Sequence, residues 1–228
     1  MGQALQQGSA FGGGTSRATA GDRIYHAIKA SVIAYAFPEG KRIYLEPIAD
    51  ELKVSTTPVR EALNRLAAEG LVIKAPRKGF LAMSLSAEKL LGHYELTKLL
   101  LVHELEQLGD DARQRLPENE AVAQILYKLN RREINNPETL AAYTAQIFGQ
   151  FASLGGNTHV IHSINRANDH LHYIRTVECS QLHDVQAELI MLCELLLGGH
   201  QEELVKSVES YHDTRIELLP EVFDLAKR

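Results

Sequence analysis

Hydrophobic positions along this chain change period twice, and the changes mark out its parts. From Asp22 to Ala36, Ile24, Ala27, Ile28, Val32 and Ile33 recur near 3.6 residues, which predicts a helix with Asp22 as N-cap and Phe37-Pro38-Glu39-Gly40 as its stop. Arg42–Leu45 reads as a short extended piece, and Glu46–Leu52 as a helix of under two turns burying Ile48, Ala49 and Leu52. A turn at 53–56 leads to another helix, which starts at one of Ser55, Thr56 or Thr57, carries Pro58 in its first turn and ends at Gly70. The period then becomes that of strands over Leu71–Lys74 and Phe80–Met83, separated by the turn Ala75-Pro76-Arg77-Lys78-Gly79.

From Ser86 onwards the pattern is helical to the end. A long helix runs to about Leu108 and Gly109-Asp110-Asp111 breaks it. Further helices are predicted over Glu118–Arg131, Pro137–Leu154, His159–Glu178, Asp184–Leu197 and Gln201–Ala226, making a bundle of six helices with short connections. Met1–Ala20 is Gly, Ser, Gln and Ala with no apolar period, so residues 1–21 are expected to form a disordered tail. The predicted class is mainly α: a winged helix-turn-helix with a small β wing over 22–83, then an antiparallel all-helical bundle over 84–228.

Composition sharpens this division. The net charge is −5, but residues 1–83 hold 11 Lys and Arg against 7 Asp and Glu, a net of +4, leaving 13 against 22 for the remainder, a net of −9. A basic front and an acidic back suit a DNA-binding module joined to a domain that does not touch DNA. Leu and Ala dominate, aromatic residues are 6% and Trp is absent, which favours helix. No apolar run reaches the ~18 residues of a membrane span, and the start of the chain lacks the basic-then-apolar order of a secretory signal. Cys179 and Cys193 form no CxxC and are expected to be buried reduced thiols, so the expected location is cytoplasmic.

The chemistry expected of the front is nucleic-acid recognition. In the helix 55–69, Val59, Leu63 and Leu66 share one face while Thr57, Arg60 and Asn64 share another. Arg60 can grip guanine O6 and N7, or a phosphate. Ser55, Thr56 and Thr57 stand where hydroxyls bind phosphate beside free helix N–H groups, and Arg65 could reach the DNA backbone. Arg77, Lys78 and Gly79 lie on the turn where a wing would touch phosphate or minor groove. On spacing alone, a plain surface helix followed by a hairpin stays open beside this reading.

The stretch ADELKVSTTPVREALNRLAAEGLV, followed by PRKGF, resembles the N-terminal domain of GntR-family transcription regulators, whose pattern is VS-x-TPVR-x-AL, then L-x-x-EGLV and a wing Gly. Val54, Ser55, Thr57–Leu63, Leu66, Glu69, Gly70, Leu71 and Gly79 fit it. The departure is Thr56, where many members carry Arg. The resemblance implies a double-stranded DNA operator and a homodimer.

The helical remainder resembles, more loosely, the FadR-like branch with its FCD-type effector domain, through TAQIFGQFASLGGN and LVKSVESYH. That resemblance implies a divalent metal held by an Asp and three His, and a small organic acid as effector. Alignment through Gly156-Asn157 puts Thr144 at the Asp position, Phe148 at the first His position and Leu189 or Ile190 at the next, leaving only His212. No metal or other cofactor is therefore expected. The early Arg and Glu of the family pocket fall at Thr97 and Leu101, so the effector pocket is expected to be more apolar than usual. A second metal site from His162, His170 or His172 is an alternative, although His170 and His172 point to different helix faces.

The function expected is a dimeric, sequence-specific transcription regulator whose operator binding answers to a small molecule in the bundle. The competing expectation is a bundle that only dimerises or binds other proteins. No nucleophile–base pair, paired acids or HExxH spacing is present, so no enzyme is expected.

Overall fold

A computed structural model describes residues 19–114, 116–131, 134, 136–182 and 184–228. The expectation for the tail at 1–18 lies outside these residues. The chain divides into two units, the first ending at Leu85 and the second beginning at Ser86.

The first helix, α1, spans Ala20–Ile33, two residues earlier than the sequence suggested. Asp22 is not its N-cap. Thr19 is, and Asp22 reaches back to it from the third helical position, so that the two side chains close a capping box. Tyr25 and Ile28 are buried on its inner face. β1 is only Arg42–Ile43, and α2 covers Leu45–Leu52, ended by Lys53 in the left-handed region.

α3 spans Thr56–Ala68 with Ser55 at the N-cap position. Gly70 follows it at φ 78°, a backbone setting that a Cβ would strain. β2 (Val72–Ala75) and β3 (Gly79–Ala82) form a hairpin, and β1 adds to the other side of β3, giving an antiparallel sheet of order β1-β3-β2. The register pairs Lys74 with Phe80, Ala75 with Gly79 and Arg42 with Leu81. Val59, Leu63 and Leu66 pack with Ile28, Ile48 and Phe80 in one core. This is a winged helix-turn-helix: α2 and α3 are the paired helices and the β2–β3 hairpin is the wing.

The second unit is all helical among the described residues. α4 (Ala87–Glu106) is capped by Ser86, and α5 (Asp110–Gln114) occupies a stretch expected to be a break. Asp110 and Asp111 favour a helix start beside the positive end of its dipole, which the sequence reading overlooked. A 3-10 turn at Leu116–Glu118 leads to α6 (Glu120–Arg131). α7 (Pro137–Ser153) is capped by Asn136 and α8 (Thr158–Gln181) by Asn157. α9 (Val185–Leu197) and α10 (Gln201–Ala226) complete the bundle. Between α7 and α8 any side chain on Gly155 would overlap the buried Glu104 carboxylate, and Gly156 turns the chain at φ 71°. The Gly-Gly-Asn run thus has a packing reason, a backbone reason and a capping reason, one per residue. The core gathers Leu101, Phe148, Phe151, Leu189, Leu192 and Val208 from α4, α7, α9 and α10.

Candidate functional site

In the N-terminal unit the polar face of α3 stands opposite its buried one. Arg60, Thr57 and Ser55 are exposed and Thr56 and Asn64 partly so, while Val59, Leu63 and Leu66 are fully buried. Ser55 makes no side-chain cap bond, so it leaves the first-turn N–H groups of α3 to other acceptors. Arg77 and Lys78 are exposed at the wing tip, with Arg77 at φ 61° and Gly79 at φ 77°.

Two basic residues join this surface that sequence reasoning passed over. Lys74 on β2 donates to Asn64 Oδ1 at 2.8 Å, tying the first strand of the wing to the middle of α3. Arg42 lies against Gly79, 3.7 Å from where a Cβ would sit, and its guanidinium is 5.3 Å from the Tyr44 ring centroid. The signal for Arg42 was strand pairing: β1 runs beside β3 and brings a third positive charge to the wing. Arg65, expected to reach DNA, is turned the other way. Its guanidinium is 3.2 Å from Asp22 and 3.9 Å from the Tyr25 ring centroid, on α1. Tyr25 in turn donates to Glu69 at 2.7 Å, and Lys29 lies 3.4 Å from the same carboxylate. The Tyr25 phenol is pushed up to about 12, by burial first and by the Glu69 bond second. These contacts brace α1 across the C-terminal half of α3 and set the angle at which its N-terminal end emerges.

In the helical unit the expected pocket residues lie in the core. Thr97, Leu101, Thr144, Phe148, Leu189 and His212 are buried and Ile190 is half-buried. Thr97 and Thr144 spend their hydroxyls on the carbonyls one turn back, at His93 and Leu140. Phe148 stacks on His212, with ring centroids 5.1 Å apart, and meets Tyr211 edge-on at 5.0 Å. His212 Nδ1 is 2.7 Å from the Val208 carbonyl, which can only accept, so Nδ1 carries the proton and Nε2 presents a lone pair. Burial lowers this imidazole to about 3, so it is neutral near pH 7.

The effector pocket was expected to be more apolar than usual; the core that holds its residues also buries charged side chains. Arg175 and Arg215 are each only 1% exposed. Arg175, on α8, donates to Asn168 Oδ1 at 2.7 Å, and Asn168 donates to the Ala145 carbonyl of α7 at 3.0 Å. Arg215, on α10, grips the Glu188 carboxylate of α9 with two parallel bonds, one of 2.9 Å, and stacks 3.8 Å from the Tyr211 ring centroid. Glu178 accepts from Tyr94 at 2.5 Å, and burial raises its carboxyl to about 7 despite that bond and the two arginines. The signal for these residues was present but went unused. Asn168, Arg175 and Glu178 continue the stripe of Val160, Ile164, Leu171 and Ile174, so they are polar residues at core positions of α8.

Residues 20–81 match the family model for bacterial regulatory proteins of the gntR family. The N-terminal unit is a gntR-type domain. The chain is 47% identical over 68 residues to the Nta operon transcriptional regulator of Aminobacter aminovorans, covering 30% of this chain and 32% of that protein. It is 40% identical over 73 residues to an HTH-type transcriptional regulator of Agrobacterium vitis, covering 32% and 43%. The chain therefore matches less than half the length of either curated relative. Both are named as transcriptional regulators, and neither as an enzyme.

Likeness of fold extends further than likeness of sequence. A GntR transcriptional regulator from Rhodococcus sp. RHA1 superposes with TM-score 0.68 at 16% identity, over 88% of this chain and 97% of that one. McbR/YncC of E. coli does so with TM-score 0.60 at 16% identity, over 90% and 99%. Within the gntR-type domain, Thr56 opens α3 and is partly exposed.

The metal implied by the looser resemblance can be tested against the side chains present. Phe148 fills with an aromatic ring the place of one ligand, Thr144 has turned its hydroxyl to its own helix, and Leu189 and Ile190 offer no donor atom. A single neutral imidazole does not hold a divalent cation in this manner, so the residues do not fit the metal. The other histidines also fail to converge: His93 and His170 stack face to face at 4.6 Å, and among the described residues no group of three His, Cys, Asp or Glu comes together.

Proposed function

We propose that the protein is a sequence-specific transcription regulator of the FadR-like, FCD-bearing type. It binds a double-stranded operator as a homodimer in the cytoplasm, and a small molecule in the helical unit adjusts that binding without a metal. The observation that carries this reading is the two-sidedness of α3: one face is locked into the core through Val59, Leu63 and Leu66, and the other presents Thr57 and Arg60 at its N-terminal end. Arg42, Arg77 and Lys78 add phosphate-binding charge at the wing, and the curated relatives named above are regulators. Support for a dimer comes from α4, where Leu96 and Leu99 lie one turn apart with exposures of 41% and 68%, an apolar surface suited to a second copy.

Selection of binding sites from a randomised duplex pool tests the reading. The expected result is a palindrome with half-sites about one helical turn apart, bound by two chains. Failure to enrich any sequence, or enrichment unchanged in Arg60→Ala, would refute it. A Leu99→Lys variant that sediments as the wild type does would remove the α4 dimer face alone.

A further inference from the structure

The exposed face of α3 has a line down its middle. Seven residues make almost two turns, so Asn64 lies about 20° around the helix from Thr57 and about 40° from Arg60. Asn64 is partly exposed on that strip, one turn past Arg60. β2 brings Lys74 to the same place. Lys74 pairs with Phe80, whose ring is in the core, and paired residues leave a sheet on one side, so Lys74 leaves it towards α3. There its ammonium donates to Asn64 Oδ1 at 2.8 Å.

That bond settles how the amide is turned. The oxygen and nitrogen of an asparagine amide are told apart by their partners, and an ammonium donates but cannot accept. Only Oδ1 can therefore face Lys74. Nδ2 lies on the other side of the amide, and its N–H groups have no partner among the described residues. Lys74 makes no ion pair among the described residues, whereas Lys29 and Arg65 each have a carboxylate beside them. Its whole positive charge thus stands next to Oδ1.

An unconstrained asparagine amide suits adenine, because Nδ2 donates to N7 while Oδ1 accepts from the N6 amino group. Here the second half of that match is obstructed. Oδ1 is engaged, and an N6 amino group brought to it would meet an ammonium, donor against donor. The free half of the amide can only donate. Guanine presents two acceptors, N7 and O6, on its major-groove edge, and the charge of Lys74 favours both. The contact therefore works by selecting guanine and by repelling adenine.

We propose that Lys74 is a positioning residue for sequence readout: it holds the Asn64 amide so that Asn64 reads guanine and rejects adenine at one base pair of each half-site. The proposal rests on the operator-binding clause of the function above and assigns part of its sequence preference.

The test uses the full chain and a randomised duplex pool, with wild type, Asn64→Ala, Lys74→Met and Lys74→Arg selected in parallel. Asn64→Ala should relax one position per half-site and leave the others, which locates the base pair that Asn64 reads. Wild type should hold guanine there. Four duplexes differing only at that base pair are then titrated at fixed salt. Wild type should favour guanine over adenine by about tenfold. Lys74→Met keeps the stem and loses the donor, so the amide is free to turn and the ratio should fall to about one or below. Lys74→Arg keeps a donor at Oδ1 and should retain the guanine preference. Wild type holding another base at that position overturns the proposal, as does an Asn64→Ala selection identical to that of wild type. A Lys74→Met protein that still favours guanine tenfold overturns it too. So does one that binds all four duplexes equally less well with a lower salt slope, since Lys74 would then serve a phosphate and not the amide. Enrichment of an operator by wild type, with no position answering to Asn64 or Lys74, would leave the regulator reading standing and remove only this assignment. Enrichment of no sequence at all would remove both.

Discussion

The two units handle charge in opposite ways. The N-terminal unit keeps an apolar core and puts its arginines and lysines outside, where Arg60, Arg77 and Lys78 are exposed. The helical unit puts Arg175, Arg215, Glu178 and His212 inside. An exposed charge costs little in the fold and is there for a partner that is itself charged. A buried charge weighs on the fold at every moment and persists only where bonds or a ligand offset it. Substitutions should therefore separate the units: in the first they cost binding, in the second they cost stability.

The largest effect expected is that of Phe148→Ala. The ring is fully buried among Phe151, Tyr211 and His212, and its loss should cost about 3–5 kcal/mol in denaturant unfolding. A cost under about 1 kcal/mol would mean that the interior is not close-packed around Arg175.

Next is the pH dependence of stability. Glu178 titrates at about 7 in the fold against 4.5 ordinarily, so the folded chain holds a proton that the unfolded chain releases earlier. Stability from this group is full below pH 4.5 and falls as pH rises through about 7. His212, lowered to about 3, and His172, lowered to about 4, work in the other sense: their contribution is full above 6.5 and is lost as pH falls towards those values. Where the two windows overlap, the two histidines gain more than Glu178 loses, so stability should rise with pH and be greatest near neutrality. Glu178→Gln should steepen that rise, by on the order of 2–3 kcal/mol between pH 5 and 8. A pH profile left unaltered by Glu178→Gln would show that this carboxyl does not contribute to it.

Legibility followed the same division. In the gntR-type domain nearly every element could be read, because pattern, punctuation and exposed chemistry agree: Gly70 and Gly79 sit at positive φ, and Val59, Leu63 and Leu66 face inward. The misses were local. Thr19 rather than Asp22 caps α1, because an acid three residues after a threonine belongs to a capping box and not to the cap. Arg65 looked like a DNA contact because spacing gives a helix face but not the neighbour packed on it, here Asp22 and Tyr25 of α1. In the bundle the helices were legible and the chemistry was not. Reading the pocket through positions 97, 101, 144, 148 and 189–190 followed the family's ligands and so recorded only losses. Arg175 lies on α8, outside those positions, and its meaning depends on Asn168 seven residues earlier and on rings from α4 and α7.

On the DNA side the effects should be smaller in stability and larger in binding. Arg60→Ala should lower affinity for a selected operator by about 1–3 kcal/mol and relax preference at one base position, with unfolding unchanged within about 0.5 kcal/mol. Equal affinity in a gel-shift titration would displace α3 from the groove. Equal affinity with lost stability would turn the comparison around, placing Arg60 in the fold and not in the interface.

The smallest effect, and the most diagnostic of the wing, is that of Lys78→Ala. Lys78 is exposed at the wing tip, beside Arg77 and near Arg42. If it meets phosphate, its removal should weaken all sequences alike, by roughly 1 kcal/mol or less at moderate salt, and should lower the slope of log affinity against log salt by about 1. The loss should shrink as salt rises, since the counterion it displaced is then no longer costly to bring back. Arg65→Ala is the internal control. Arg65 is held by Asp22 and Tyr25, so its removal should leave the salt slope nearly unchanged while loosening α1 from α3. A salt slope that falls for Arg65→Ala and not for Lys78→Ala would reverse their roles and move the DNA backbone from the wing to the C-terminal half of α3.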